Sequence, residues 1–262
     1  MKLRVKFTKH GRVRYIGHLD MQRYFQRLNR RAGLKVVYSE GFSPHQKMSF
    51  AMPLSVGYES DAEYFDVEVT EALSSEAIIS SMNKEQAEGI EVTDCVLLPD
   101  KCENAMASVR AADYIVSFRE GCKAPFDIDK VVSELEKSDS YTVRKQVKKS
   151  KHPGRIKKAS YNTKTMESGN SDNPSSNDPD FREVDIRPLI YDIKTDSDSN
   201  IYMKVSAGSK DNIKPELVIG ALYEKAGYEL TKTALMITRH ELYTYAGEDG
   251  GLIPLSAVGE EF

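Results

Sequence analysis

His18, His45 and Lys47 are the residues of this sequence best suited to acid–base chemistry on a phosphate. A histidine exchanges protons near neutral pH, and a lysine ammonium offsets the charge that develops on a phosphoryl oxygen. His18 lies in the run Gly17-His18-Leu19-Asp20, and the other two lie in the loop Gly41-Phe42-Ser43-Pro44-His45-Gln46-Lys47. The three form a site only if that loop folds back over the segment carrying His18. No diagnostic spacing supports this. The plainer expectation is a His18 that caps a helix and a His45 exposed on a loop.

Binding chemistry is written more densely than catalytic chemistry. Lys2, Arg4 and Lys6 alternate with Leu3, Val5 and Phe7, and Arg12 and Arg14 alternate with Val13 and Tyr15. Period 2 predicts half-buried strands with basic outer faces. His10-Gly11 between them suits a tight hairpin turn, so a basic two-stranded ribbon is expected. Residues 18–33 predict a helix, with Met21, Phe25, Leu28 and Ala32 on one stripe. Arg23, Arg27, Arg30 and Arg31 fall on its other side, Asp20 offsets the positive helix end, and Gly33 is suited to end it. Such guanidinium groups position nucleic-acid phosphates, and Tyr15 and Phe42 would stack on bases if exposed. Arg187, before Pro188, and Arg239, before His240, are further phosphate candidates. In an acid-rich half of the chain they are expected to pair with carboxylates instead.

Other chemistries lack support. His10, His18, His45, His152 and His240 show no short metal-ligand spacing, and Cys95, Cys102 and Cys122 form no Cys-x-x-Cys. No metal and no cofactor is expected. P-loop, dinucleotide-binding and hydrolase-elbow motifs are missing.

The chain has 262 residues, and its net charge of −3 conceals a strong segregation. Residues 1–50 carry 12 Lys and Arg against 2 Asp and Glu, residues 51–140 carry 7 against 20, and residues 141–164 carry 9 against none. A localised polyanion footprint follows from such blocks better than a generally cationic surface does. An apolar fraction of 40% supports a packed core. The N-terminal residues lack the apolar core of a secretory signal, no run is long enough to span a membrane, and three cysteines do not make a disulfide scaffold. A reducing cytoplasm is expected.

These positions need a scaffold. After the ribbon and the 18–33 helix, strands are expected at 35–38, 62–69 and 90–98, with a helix at 74–87 capped by Ser74 or Ser75. The second half predicts strands at 112–118, 141–147, 183–193, 200–206 and 234–245. Its helices are expected at 126–137 and 214–226. Both halves follow a split βαβ order, giving an α+β chain of two ferredoxin-like units with antiparallel sheets, at 1–98 and 111–262. Residues 165–180 are Ser, Asn, Asp, Pro and Gly-rich and are expected to be a disordered insertion, preceded by a basic arm.

Several stretches have a family likeness: Lys9-x-Gly11, Arg14 to Asp20, Arg30 to Leu34, Tyr38 to His45, Pro53 to Gly57, Val184 to Pro188, and Thr238-Arg239. Over nearly the whole chain they resemble the bacterial radical-SAM-linked proteins. The resemblance implies a partner radical-SAM enzyme with a cobalamin-binding-like region, and a setting near a ribonuclease of the E/G type and ribosomal protein genes. This chain has no Cys-x3-Cys-x2-Cys triad; Cys95-x6-Cys102 is the nearest approach. Any radical chemistry would therefore belong to a separate protein.

The leading expectation is a cytoplasmic RNA- or ribosome-binding accessory protein acting with a separate radical-SAM enzyme. The alternatives are a metal-independent RNA-processing or RNA-modifying enzyme built on His18, His45 and Lys47, and a protein–protein adaptor.

Overall fold

The structure is a computed structural model and describes residues 1–147, 180–209, 211–247 and 250–262. The first half runs β1 (Lys2–Lys9), α1 (His18–Arg31), β2 (Met48–Phe50), β3 (Glu59–Glu68), α2 (Ser75–Glu85) and β4 (Ile90–Leu97). A short turn of helix, α3 (Ala105–Ser108), leads to β5 (Ala111–Phe118), α4 (Ile128–Glu136), β6 (Thr142–Val147) and β7 (Asp180–Asp185). β8 (Ile190–Thr195), β9 (Ile201–Ser206), α5 (Pro215–Lys225), β10 (Leu235–Tyr245) and β11 (Leu252–Pro254) complete the chain. The fold is mixed α+β around a mostly antiparallel open sheet.

One sheet serves both halves. Its order is β4-β1-β3-β10-β5-β9-β8, with β2 added to β3 and β11 to β10. Among the described residues every pairing is antiparallel except the short parallel join of β10 to β3, where Thr238 faces Glu59 and Arg239 faces Ser60. Separate sheets were expected; the join covers what would otherwise be two exposed strand edges. β6 and β7 form a ribbon of their own. The basic run beyond residue 147 and the insertion expected at 165–180 lie outside the described residues, apart from Asp180, where β7 begins.

Two apolar clusters hold the sheet. In the first, α1 lays Met21, Phe25 and Leu28 on Leu3, Val5 and Phe7 of β1. The rings of Phe7 and Phe25 stand 4.4 Å apart, and Phe50 stacks on Phe65 at 5.4 Å. The second packs α4 and α5 on β5, β8, β9 and β10, and also takes in Leu54, Tyr58, Ala62 and Tyr64 from the first half. α2 starts as expected, with the Ser74 hydroxyl accepting from the Ala77 amide.

Three local expectations change. Residues Gly11–Tyr15 form a 3-10 helix and not a second strand, so the basic ribbon expected over residues 2–15 does not form. Gly11 takes φ +62°, but it turns the chain toward α1 and not back along β1. The strand expected over 183–193 is broken at Arg187–Leu189 by a 3-10 turn holding Pro188. Residues 35–38 make only isolated bridges, Val36 to Val69 and Tyr38 to Gln46. Among the described residues no helix is long and apolar enough to cross a membrane.

Candidate functional site

The outer face of α1 and the loop beside it form the surface where the candidate residues concentrate. Arg23, Arg27 and Arg30 are exposed along this face, opposite the stripe of Met21, Phe25 and Leu28. Arg23 reaches Asp20 at 3.2 Å in an ion pair open to solvent on both sides. Arg12, Arg27 and Arg30 have no carboxylate partner among the described residues.

Gln46 ties the loop to the helix. Its side-chain amide donates to the Gln26 carbonyl at 2.8 Å, and its oxygen accepts from Asn29 at 3.1 Å. The two flanks of the loop are bonded together: Ser39 N–H donates to the His45 carbonyl, and Lys47 N–H donates to the Val37 carbonyl. The Ser39 hydroxyl also meets His45 Nδ1 at 2.8 Å. Gly41 turns the tip at φ +106°, a conformation that favours glycine, and Phe42 beside it is fully exposed at 112%.

The acid–base trio does not assemble. His18 sets its ring edge-on against Phe50 at 5.5 Å and meets Gln22 at 3.1 Å. His45 turns to Ser39, while the Lys47 ammonium pairs with Glu68 at 3.3 Å. The cause is local. In extended backbone, neighbours point to opposite sides. Gln46 is buried against α1, so His45 and Lys47 face away from the helix that carries His18.

Several of the expected phosphate ligands are spent within the fold. Arg4, 1% exposed, makes a two-pronged ion pair with Asp66 at 2.8 and 3.2 Å and donates to the Leu255 and Glu103 carbonyls. Lys6 pairs with Glu241 at 2.8 Å, and Arg14 pairs with Glu59 at 2.9 Å. Arg187 clamps the end of α4, donating to the carbonyls of Glu136 at 2.8 Å and Ser138 at 3.0 Å. Cationic groups favour that negative helix end. Arg239, 2% exposed, pairs with Glu63 at 2.8 Å and donates to the Met52 and Pro53 carbonyls. Burial opposes its charge, but Glu63 and Tyr114 outweigh burial and raise its pKa. Arg4 and Arg239 are therefore not available to a nucleic acid, and Lys6, Arg14 and Arg187 are engaged by protein groups.

Sequence reasoning missed other members of this framework. Lys9 is buried and donates to the carbonyls of Arg14 at 3.4 Å and Ile16 at 2.8 Å, holding the approach to α1. Burial lowers its pKa, partly offset by Glu63. Asp61 receives both His10 at 3.0 Å and His240 at 2.6 Å. Among the described residues no group of His, Cys, Asp and Glu is arranged to hold a metal. Cys95 is buried and its thiol is pushed up to about 12 by burial, so it is not a nucleophile at neutral pH. A groove of about 1040 Å³ lies along α5, with Lys214, Glu216 and Tyr228 in its walls, and neither His18 nor His45 contributes to it.

Residues 2–176 match the model of a family described as an uncharacterized protein conserved in bacteria, DUF2344. The chain belongs to this family. The match covers α1, the Phe42 loop and the sheet strands up to β6, so the exposed arginine face lies wholly within the family region. Among curated proteins none matches the chain.

His18 carries a pH signature. Burial, followed by the Lys9 charge, lowers its pKa from 6.5. The unfolded chain then binds the proton more readily than the folded one, so stability falls as pH drops below about 6.5 toward the folded value. Urea midpoints between pH 5 and 7.5 are expected to fall more steeply with acid in the parent than in His18→Gln. Equal pH slopes in the two proteins would contradict the assignment.

Proposed function

We propose that this chain is an RNA- or ribosome-binding accessory protein whose contact surface is the outer face of α1 with the adjoining Phe42 loop. The observation that supports it is the selective exposure of Arg23, Arg27 and Arg30, in a chain that pairs Arg4, Lys6, Arg14 and Arg239 with its own carboxylates. Exposed guanidinium groups, without a carboxylate partner at Arg27 and Arg30 and with only a solvent-open pair to Asp20 at Arg23, suit phosphate oxygens. The separate radical-SAM enzyme implied by the family resemblance is the partner we attach to this function.

The same proposal takes the two halves as ferredoxin-like units. β4-β1-β3-β2 and β10-β5-β9-β8 both follow the split βαβ order, with the β6–β7 ribbon inserted in the second. The catalytic alternative draws no support from His18, His45 and Lys47, which face different partners. The deciding measurement is the affinity of the full chain for purified ribosomes and for a labelled RNA across a salt series. Binding that weakens steeply with salt is expected. No binding to either at low salt would defeat the proposal and leave the adaptor role in its place.

A further inference from the structure

We infer that the nucleic acid taken by this surface is single-stranded RNA, with one base stacked on Phe42 and another on Tyr15, an inference that rests on the RNA-binding proposal above and narrows it. Phe42 is held out in solvent by a loop that is fastened at both flanks and at Gln46. An apolar ring presented so openly on a fastened loop is placed to be covered by something flat and apolar. A nucleobase has such a face whatever its sequence.

Tyr15 offers a second platform of different construction. It is 57% exposed and follows directly on Arg14 in the 3-10 helix before α1. The Arg14 guanidinium lies 5.0 Å from the ring centroid and donates to the Tyr15 hydroxyl at 3.2 Å. Arg14 is itself fixed by Glu59, and its carbonyl accepts from the Gly57 amide. A ring backed by a held cation, with exposed area left over, is suited to take a base.

The two platforms stand toward opposite ends of α1. Gln46 rests on Gln26 and Asn29, whereas Phe50, four residues later, rests on His18. The chain after the loop therefore runs back along α1 toward its start. Phe42, on the far side of Gln46, belongs to the C-terminal end of the helix, and Tyr15 belongs to its N-terminal end. From His18 to Asn29 the helix rises about 16 Å, at about 1.5 Å per residue. Arg23 and Arg27 fall within that span and Arg30 just beyond it, placed for the phosphates between two stacked bases.

Duplex RNA does not fit this arrangement. Its bases are already stacked on one another, and proteins read it through phosphates and 2′-hydroxyls across the minor groove. Protruding aromatic rings gain nothing from it, whereas an unpaired strand can splay its bases onto them.

The test uses the full chain and one short fluorescein-labelled oligoribonucleotide, free or annealed to its complement, followed by anisotropy across a salt series. The single strand is expected to bind more tightly than the duplex. Phe42→Ala and Tyr15→Ala are each expected to weaken single-strand binding by roughly 5- to 150-fold, the range for losing one base–aromatic stack. Neither change should alter the salt slope, because neither removes a phosphate contact. Phe42→Tyr and Tyr15→Phe should bind like the parent, since both keep a ring. Both positions are exposed, and unchanged circular dichroism confirms that the variants fold. Equal affinity for duplex and single strand overturns the inference. So does parental binding by both alanine variants when replacing Arg23, Arg27 and Arg30 together by Ala weakens binding; RNA binding itself then stands. If Tyr15→Phe loses as much as Tyr15→Ala, the hydroxyl was responsible and stacking on Tyr15 is wrong. If neither form of the RNA binds at low salt, the underlying proposal fails with it.

Discussion

Replacing Arg23, Arg27 and Arg30 together by Ala is expected to reduce RNA affinity by about 100-fold at 0.1 M salt and to leave the fold unchanged. Each phosphate contact on a single strand contributes about 0.7 to the slope of log affinity against log salt. Three lost contacts lower that slope by about 2, and the loss accumulates over the decade between molar and 0.1 M salt. The two proteins should converge as salt rises. Stability should move by no more than about 0.5 kcal/mol, because the three side chains lie off the packed stripe and Ala is the better helix former. Binding isotherms at four or more salt concentrations, with urea midpoints for both proteins, check this. Parental affinity and parental slope in the triple variant would remove α1 from the interface and favour a protein partner.

Arg239→Ala is expected to cost about 3–5 kcal/mol of stability, the usual effect of removing one member of a buried ion pair. Glu63 would be left buried without its 2.8 Å partner, and the carbonyls of Met52 and Pro53 would lose a donor. The pair sits where the two halves join, since Arg239 lies in the parallel register with Ser60. Replacing both partners, as Glu63→Leu with Arg239→Met, should cost much less than the two single changes added together, because no charge is then left unpaired. Urea unfolding of all four proteins, with the slope compared as well as the midpoint, measures the coupling. An unchanged midpoint in Arg239→Ala would show that the join does not depend on this pair.

The amphipathic helix at 18–33 was readable because its stripe recurs within one element, and helix burial follows such local periodicity. The Ser74 cap and the Pro215 helix start, ended by Gly227, are equally local, each decided by a few neighbouring residues. Alternation likewise announced β1 with two faces, Leu3, Val5 and Phe7 on one and Arg4 and Lys6 on the other. Which face meets water is a different question. The Arg4 face is covered by Leu255 and Glu103, far along the chain, and its partner Asp66 lies on β3. Residues 11–15 kept a strand-like alternation yet coiled into a 3-10 helix, held by Gly57, Glu59 and the Lys9 ammonium rather than by strand pairing with β1. In the loop, composition announced irregular backbone but not that Gln46 would be the inward residue. That choice turned His45 and Lys47 away from His18. Local spacing thus determined the helices, most of the strands and the exposed arginine face of α1. Only long-range packing decided which cations remained available, because a charge is freed or consumed by what the rest of the chain lays against it.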